Sequence, residues 1–274
     1  ITFSGYSRPE TLNNFPLLIA LSSNVNNSGF SYGQFGSTSG WDLRFFDSDE
    51  STALNYEIEK WDRFGASYVW VKVPAVSGAG DFIWAYWGNT LTSVTSAPAA
   101  YTTNGSTWSG GYAGVWHLSE TSGTHRDSTA NGNTGAINGA VTQGTTAMVD
   151  GGDDLAGGYI NCGSGASLNV NNITGEVWIK PDTWSSDWTA VLCKQQGGSP
   201  YQAFDFRKKS GNAAIEATIA VGGGEYAQSG AAVNVGVWQH VVFTYDGENL
   251  AVYNNGIQTG ANAAPSGNLQ TTAN

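Results

Sequence analysis

Apolar positions along this chain recur every second residue in short runs, and no stretch carries the 3.6-residue period of an amphipathic helix. Phe15-Pro16-Leu17-Leu18-Ile19-Ala20-Leu21 is a continuous apolar run. It predicts a buried strand with Pro16 at its start, where a missing N–H is tolerated. Residues 41–46 alternate into the turn Asp47-Ser48-Asp49. Residues 54–61 alternate too, which places Leu54, Tyr56, Ile58 and Lys60 on one face and Glu57 and Glu59 on the other. Runs at 68–73 and 81–89 complete five or six expected strands with aromatic inner faces. Further strands are expected at 115–118, 158–162, 173–181, 188–194, 203–207 and 215–221. The clearest stretch is 237–260, VWQHVVFTYDGENLAVYNNGIQTG. Its β-branched and aromatic run ends at Asp246-Gly247 and returns through 250–253, then turns again at Asn254-Asn255-Gly256. Asp and Asn tolerate the left-handed region and Gly enters it freely, so two hairpins in succession are predicted, an antiparallel meander.

The fold class expected is all-β, with two β-sandwich (jelly-roll-like) domains at 1–98 and 114–274. Residues 99–113 form the linker between them, in a stretch with little apolar periodicity and many small polar residues. The 37 glycines suit many turns between short strands, and 12% aromatic residues are ample for a packed core. A formal net charge of −11 would repel phosphates, which argues against nucleic acid as a partner. No run approaches the ~20 apolar residues of a spanning helix, so membrane insertion is not expected. Ile1-Thr2-Phe3 already reads as strand; a mature secreted chain and a trimmed piece of a longer one would both begin this way. The two cysteines, Cys162 and Cys193, could pair in an oxidising compartment if their Cα atoms approach within about 7 Å.

The pattern W-x-H-V-V-F-T-Y-D-G-x-x-L-x-V-Y-x-N-G, beginning at Trp238, resembles the signature of laminin-G-like (concanavalin A-like) sandwich modules. The order NFPLLIALS, WDLRFFDSD, LNYEIEKWD, YVWVKVP and IWAYWGN is similar to a domain-of-unknown-function family that often precedes such modules in bacterial surface proteins. These resemblances imply a secreted or cell-surface location, but no established chemistry. The loop at 127–135, DSTANGNTG, is similar to one that helps bind a structural calcium in several relatives. Asp127 is then the leading ligand, with Asn131 and Asn133 as helpers. The alternative is an Asx-turn loop whose side chains cap their own backbone. The acidic stretch 150–154 is expected as a turn. Two closing strands usual in the family are not visible after 260; the chain would then be a fragment, or a neighbouring chain would supply them. Their absence also weakens the calcium reading, because one of them usually contributes ligands.

Candidate chemistry is sparse. Asp47-Ser48-Asp49-Glu50-Ser51 would need Gly and Glu where Thr52 and Ile58 stand to make an EF-hand loop, so a solvated turn is expected. Glu57 and Glu59 could serve as an acid–base pair, but outward solubilising charge is the commoner use of such a pattern. The three histidines, His117, His125 and His240, lie in separate segments, and no nucleophile elbow, P-loop or zinc spacing accompanies them. The chain is therefore expected to be no enzyme. Sugars are held by aromatic faces with polar rims. The loop aromatics Trp184, Tyr201 and Tyr226 are the candidate ligand-binding residues. Trp108 joins them either as a plug at the domain interface or as a platform. Trp178, Trp188 and Trp238 sit at strand-like positions and are expected in the core. The leading expectation is a non-catalytic extracellular module for glycan binding or adhesion, with a polysaccharide, a surface glycan, other copies of itself or a neighbouring surface protein as partner. Its rival is a structural subunit of a filament, sheath or surface assembly completed by a neighbour's strands. A third reading is an accessory domain of a polysaccharide-degrading enzyme.

Overall fold

The computed structural model describes residues 1–89, 105–195, 202–263 and 266–271. It resolves into two compact units, 1–162 and 163–274, each all-β. Among the described residues the only helical turns are three 3-10 segments, Val25–Asn27, Tyr32–Gln34 and Ala166–Leu168. The division in space falls at Cys162, so residues 114–162 group with the N-terminal unit. Residues 99–104 of the expected linker lie outside the described residues.

The first unit contains β1 (Leu12–Leu21), β2 (Arg44–Phe46), β3 (Tyr56–Lys60), β4 (Ser67–Val76), β5 (Trp84–Tyr86), β6 (Ala136–Asn138), β7 (Thr142–Thr146), β8 (Gly151–Asp154) and β9 (Tyr159–Asn161). An antiparallel sheet in the order β1-β4-β3 shares one buried cluster with the ribbon β2-β5. Val69, Val71 and Val73 alternate inward along β4 and meet Ile19, Leu21, Tyr56, Phe45 and Ile83. Each such side chain contributes roughly 1.5–3 kcal/mol when fully buried. Pro16 lies inside β1 opposite Lys72, and not at its start. The ladder tolerates it because β1 is an edge strand. Two sequence expectations fail in this unit. Residues 115–118 form no strand, and Leu118 sits at φ 58°. The acidic stretch read as a turn contains β8, paired with β7.

The second unit contains β10 (Ile173–Ile179), β11 (Ala190–Gln195), β12 (Gln202–Lys208), β13 (Ala214–Val221), β14 (Gly224–Ala232), β15 (Gln239–Tyr245), β16 (Asn249–Asn254) and β17 (Ile257–Ala263). They form two four-stranded antiparallel sheets, β10-β15-β16-β17 and β11-β12-β13-β14. Phe204, Phe206, Ile215 and Ile219 of one sheet pack with Val241, Phe243, Leu250 and Val252 of the other, as in a β-sandwich. Gly175 permits this packing, since a Cβ there would lie 2.3 Å from the Phe243 ring. The meander is as expected. Asn255 and Gly256 both take positive φ (50° and 76°), and the Asp246 carboxylate accepts the Glu248 and Asn249 N–H groups.

Candidate ligand-binding site

Period-two alternation decides which side chains leave the second unit's core. On β12, Phe204 and Phe206 point inward, so Asp205 and Arg207 share the opposite face. On β13, Ile215, Ala217 and Ile219 point inward, which puts Glu216 and Thr218 on that same opposite face, where Asp205, Glu216 and Thr218 are themselves buried and Arg207 is half-buried. The register sets Arg207 beside Glu216 and Asp205 beside Thr218. Arg207 Nη1 donates to Asp205 Oδ2 at 2.6 Å and Nη2 to Thr218 Oγ1 at 3.2 Å. Glu216 Oε1 lies 3.7 Å from the guanidinium, and Ser229 Oγ donates to Glu216 Oε2 at 3.1 Å. Burial pushes the Asp205 carboxyl above its ordinary pKa, and the pull of Arg207 only partly offsets it. Asp205 Oδ1 and Arg207 Nε are buried with no hydrogen-bond partner among the described residues.

Trp188 caps this row. The Arg207 guanidinium lies 4.4 Å from the centre of its ring, a cation–π contact, while the indole remains 54% exposed. Trp188 also holds φ 63°, which is costly for a bulky side chain and marks a position that its surroundings impose. Asp187 supplies the anchor. Its carboxylate accepts Lys208 Nζ at 2.7 Å, Ser210 Oγ at 2.8 Å and the Gly211 N–H at 3.2 Å. These donors, Lys208 first, hold its pKa down to about 2. The outer face of the other sheet carries a second aromatic group. Trp178, 43% exposed, stacks on His240 at 5.1 Å, and Glu176 lies 3.4 Å from that imidazole. Lys180 lies over Trp238 at 5.7 Å.

The expected core positions of Trp178, Trp188 and Trp238 are therefore corrected; Trp238 is half-buried but outside the core cluster. Glu176, Trp178 and Lys180 share one parity in the sequence, and Val177 and Ile179 the other. That pattern already pointed Trp178 outward. The loop aromatics fare differently. Trp184 packs against the core and donates its indole N–H to the Ala213 carbonyl at 3.0 Å. Tyr226 belongs to β14 and also packs against the core. Tyr201 lies outside the described residues. Trp108 is a plug within the first unit and not a platform, being only 6% exposed.

Trp108 leads to a buried ionic cluster. Glu57 was expected outward, yet it is 1% exposed. It accepts Trp108 Nε1 at 2.6 Å and Ser128 Oγ at 3.0 Å, and it pairs with Arg126. Glu59 accepts the Trp70 indole N–H, and the His117 ring lies 3.4 Å from Glu59 and 3.8 Å from Glu57. Loop residues 105–128 cover the side of β3 that the sequence left to solvent. With both carboxylates closed off from water by indoles, the pair is structural.

The 127–135 loop does not fit a calcium ion. Asp127 Oδ1 accepts the Val115 and Thr129 N–H groups at 3.1 and 2.9 Å. Its Oδ2 accepts Thr129 Oγ1 and the Asn133 N–H, both at 2.9 Å. All four acceptor positions of the carboxylate are thus occupied. The side-chain amides of Asn131 and Asn133 donate to the Ala113 carbonyl at 3.1 and 2.9 Å. The Asx-turn alternative describes this loop. Added calcium or a chelator should accordingly leave the thermal midpoint unchanged; a calcium-dependent rise abolished by Asp127→Asn would refute this. Cys162 in the first unit and Cys193 in the second each carry a free thiol in this structure, without the bond that the sequence left open. Burial, with Asp127 nearby, pushes the Cys162 thiol up to about 11, which makes it a poor nucleophile.

Two family matches agree with the resemblances read from the sequence. Residues 150–274 match Laminin_G_3, the concanavalin A-like lectin/glucanases superfamily, and residues 39–130 match DUF2341, a domain of unknown function. No curated protein matches the chain. The concanavalin A-like fold is consistent with a carbohydrate-binding or adhesion module and is common in extracellular proteins. No catalytic family is shown, although some members of the superfamily are glycosidases. Among the described residues, no helix is long and apolar enough to cross a membrane.

Proposed function

We propose that this chain is a non-catalytic, extracellular glycan-binding or adhesion module whose sugar site is the Trp188–Arg207 face of the second unit. One observation carries the reading: a half-exposed indole, held at a strained φ, lies against a guanidinium that Asp205 and Thr218 fix in place. A pyranose offers apolar C–H faces for the indole and hydroxyls at its edge for the Nη hydrogens that Asp205 and Thr218 leave over, Nε being buried. Because Arg207 is already ordered, binding freezes little side-chain freedom. Its neighbours Asp205 and Glu216 offset its charge, which favours a hydroxyl-rich ligand over a polyanion.

Titration against a glycan array tests this. Trp188→Ala should weaken binding at least tenfold, about 1.4 kcal/mol, with Trp188→Phe between it and wild type. Trp184→Ala should act only through stability. An array with no bound glycan, or equal affinity in Trp188→Ala, would overturn the proposal. Size-exclusion chromatography separates it from the rival reading, because a structural subunit would assemble without any glycan.

A further inference from the structure

In the ribbon β2-β5 of the first unit Phe45 faces the core, but the aromatic side chains of β5 face away from it. Ile83 is fully buried and Ala85 packs against the core, while Phe82, Trp84 and Tyr86 are 37%, 37% and 43% exposed. Across the ribbon Phe46 pairs with Trp84 and Arg44 with Tyr86, so all these side chains share the outward face. The rings form a continuous row. Centroid distances are 5.7 Å for Phe82–Trp84, 6.4 Å for Trp84–Tyr86 and 5.7 Å for Phe46–Tyr86. Trp84 and Tyr86 are 30° apart in plane, and Phe82 stands edge-on at the end.

The row is also fixed. Trp84 Nε1 donates to the Ser48 carbonyl at 3.3 Å, and the carboxylate of Glu50, itself at φ 57°, lies beside the Tyr86 hydroxyl. Asp49 accepts the Ser51 and Thr52 N–H groups at 2.9 and 2.8 Å and so stiffens the turn that carries Glu50. The Glu50 carboxylate therefore edges the row, while Arg44 on the same face directs Nη1 at the Trp41 and Leu43 carbonyls, 2.6 and 2.7 Å away. That charge pattern disfavours a polyanion and a lipid headgroup. It suits hydroxyls, which donate to carboxylates, above C–H faces, which stack on rings.

We propose that this outward face is a second glycan-binding surface, one that stacks a neutral, β-linked polysaccharide chain along Phe82, Trp84 and Tyr86. The aromatic positions span about 13 Å of strand, room for two or three pyranose rings in an extended chain. The surface stands independently of the Trp188 site, with which it shares no residue.

The test is retention of the full chain on insoluble cellulose and chitin and, in affinity gels, on a soluble neutral β-glucan. Wild type should be retained on at least one. Trp84→Ala/Tyr86→Ala should lose retention at least tenfold, Trp84→Phe should keep most of it, and Trp188→Ala should bind like wild type. Should the double variant fold poorly, Tyr86→Ala alone must still weaken retention. Three results would overturn the proposal: wild type unretained on all three, undiminished retention in the aromatic variants, or an effect of those variants on self-association only. Loss in Trp188→Ala alone would count against this surface and leave the Trp188 site standing.

Discussion

Glu57→Ala should destabilise the first unit by about 2–4 kcal/mol, the cost of stranding two buried donors; the Arg126 guanidinium, 44% exposed, keeps its water. The Glu57 carboxylate is the common acceptor for Trp108 Nε1, Ser128 Oγ and Arg126. Deleting it leaves an indole N–H and a hydroxyl buried without their partner. Urea unfolding followed by tryptophan fluorescence should report the loss, since Trp70 packs against Trp108 at 5.2 Å inside the cluster. A change within about 0.5 kcal/mol, the range of an ordinary surface substitution, would mean that the cluster is not what holds the 105–128 loop on β3.

The pH dependence has a definite sign. Burial alone would raise the Glu57 pKa, but the His117 ring 3.8 Å away, the Arg126 charge and the Trp108 indole bring it below the ordinary value. A folded pKa below the unfolded one means stability that is present above the unfolded pKa and lost as pH falls through the folded one. Glu57→Gln should therefore be less stable than wild type near neutrality, and the gap should close on acidification through the carboxylate range. Glu59 works in the other direction. Burial, reinforced by Asp150 and Glu57, raises its pKa against the pull of His117 and Trp70. Its contribution is present at low pH and lost as pH rises through the folded value. A Glu57→Gln deficit that grew on acidification would contradict this assignment.

Strand parity was legible throughout, but the layer that covers each face was not. The sequence placed Glu57 and Glu59 together on one side of β3, which is correct. Solvent was assigned to that side because carboxylates commonly seek water, and nothing local indicated that Trp108, His117 and Arg126, 50 to 70 residues away, would close over them. Size misled at β5, where aromatics were assigned inward although Ile83 and Ala85 fill the core. At β10 the signal was present and misread: Trp178 shares parity with Glu176 and Lys180. Hairpins depend on adjacent residues, which is why the meander of β15 to β17 was readable and the Trp188–Arg207 contact, set by a loop and a neighbouring strand, was not.

The same non-local blindness hid the second ionic centre of the first unit, where His125→Ala should cost about 3–5 kcal/mol. His125 is fully buried between two carboxylates, with Nδ1 2.8 Å from Glu120 Oε2 and Nε2 2.6 Å from Asp153 Oδ2. Gln143 Nε2 lies 3.1 Å from that same Nε2. The two acids are held unequally. Burial would raise Glu120, but the Arg126 N–H and His125 bring it below its ordinary value. For Asp153, burial outweighs the attraction of His125, so its pKa is raised. Neither Asp153 oxygen has a hydrogen-bond partner among the described residues, and the imidazole 2.6 Å from Oδ2 is the contact that makes its burial tolerable. Removing His125 strands that charge and opens a cavity, whereas adding Asp153→Asn should recover part of the loss, because the stranded group is then neutral. The pH profile separates these terms. A raised folded pKa makes the Asp153 contribution one that is lost as pH rises, and without His125 the loss should be steeper, so acidification should rescue His125→Ala relative to wild type. If the double variant were no more stable than His125→Ala, and acid gave no relative rescue, the cavity alone would account for the damage and the ionic centre would contribute nothing to holding β8 in place.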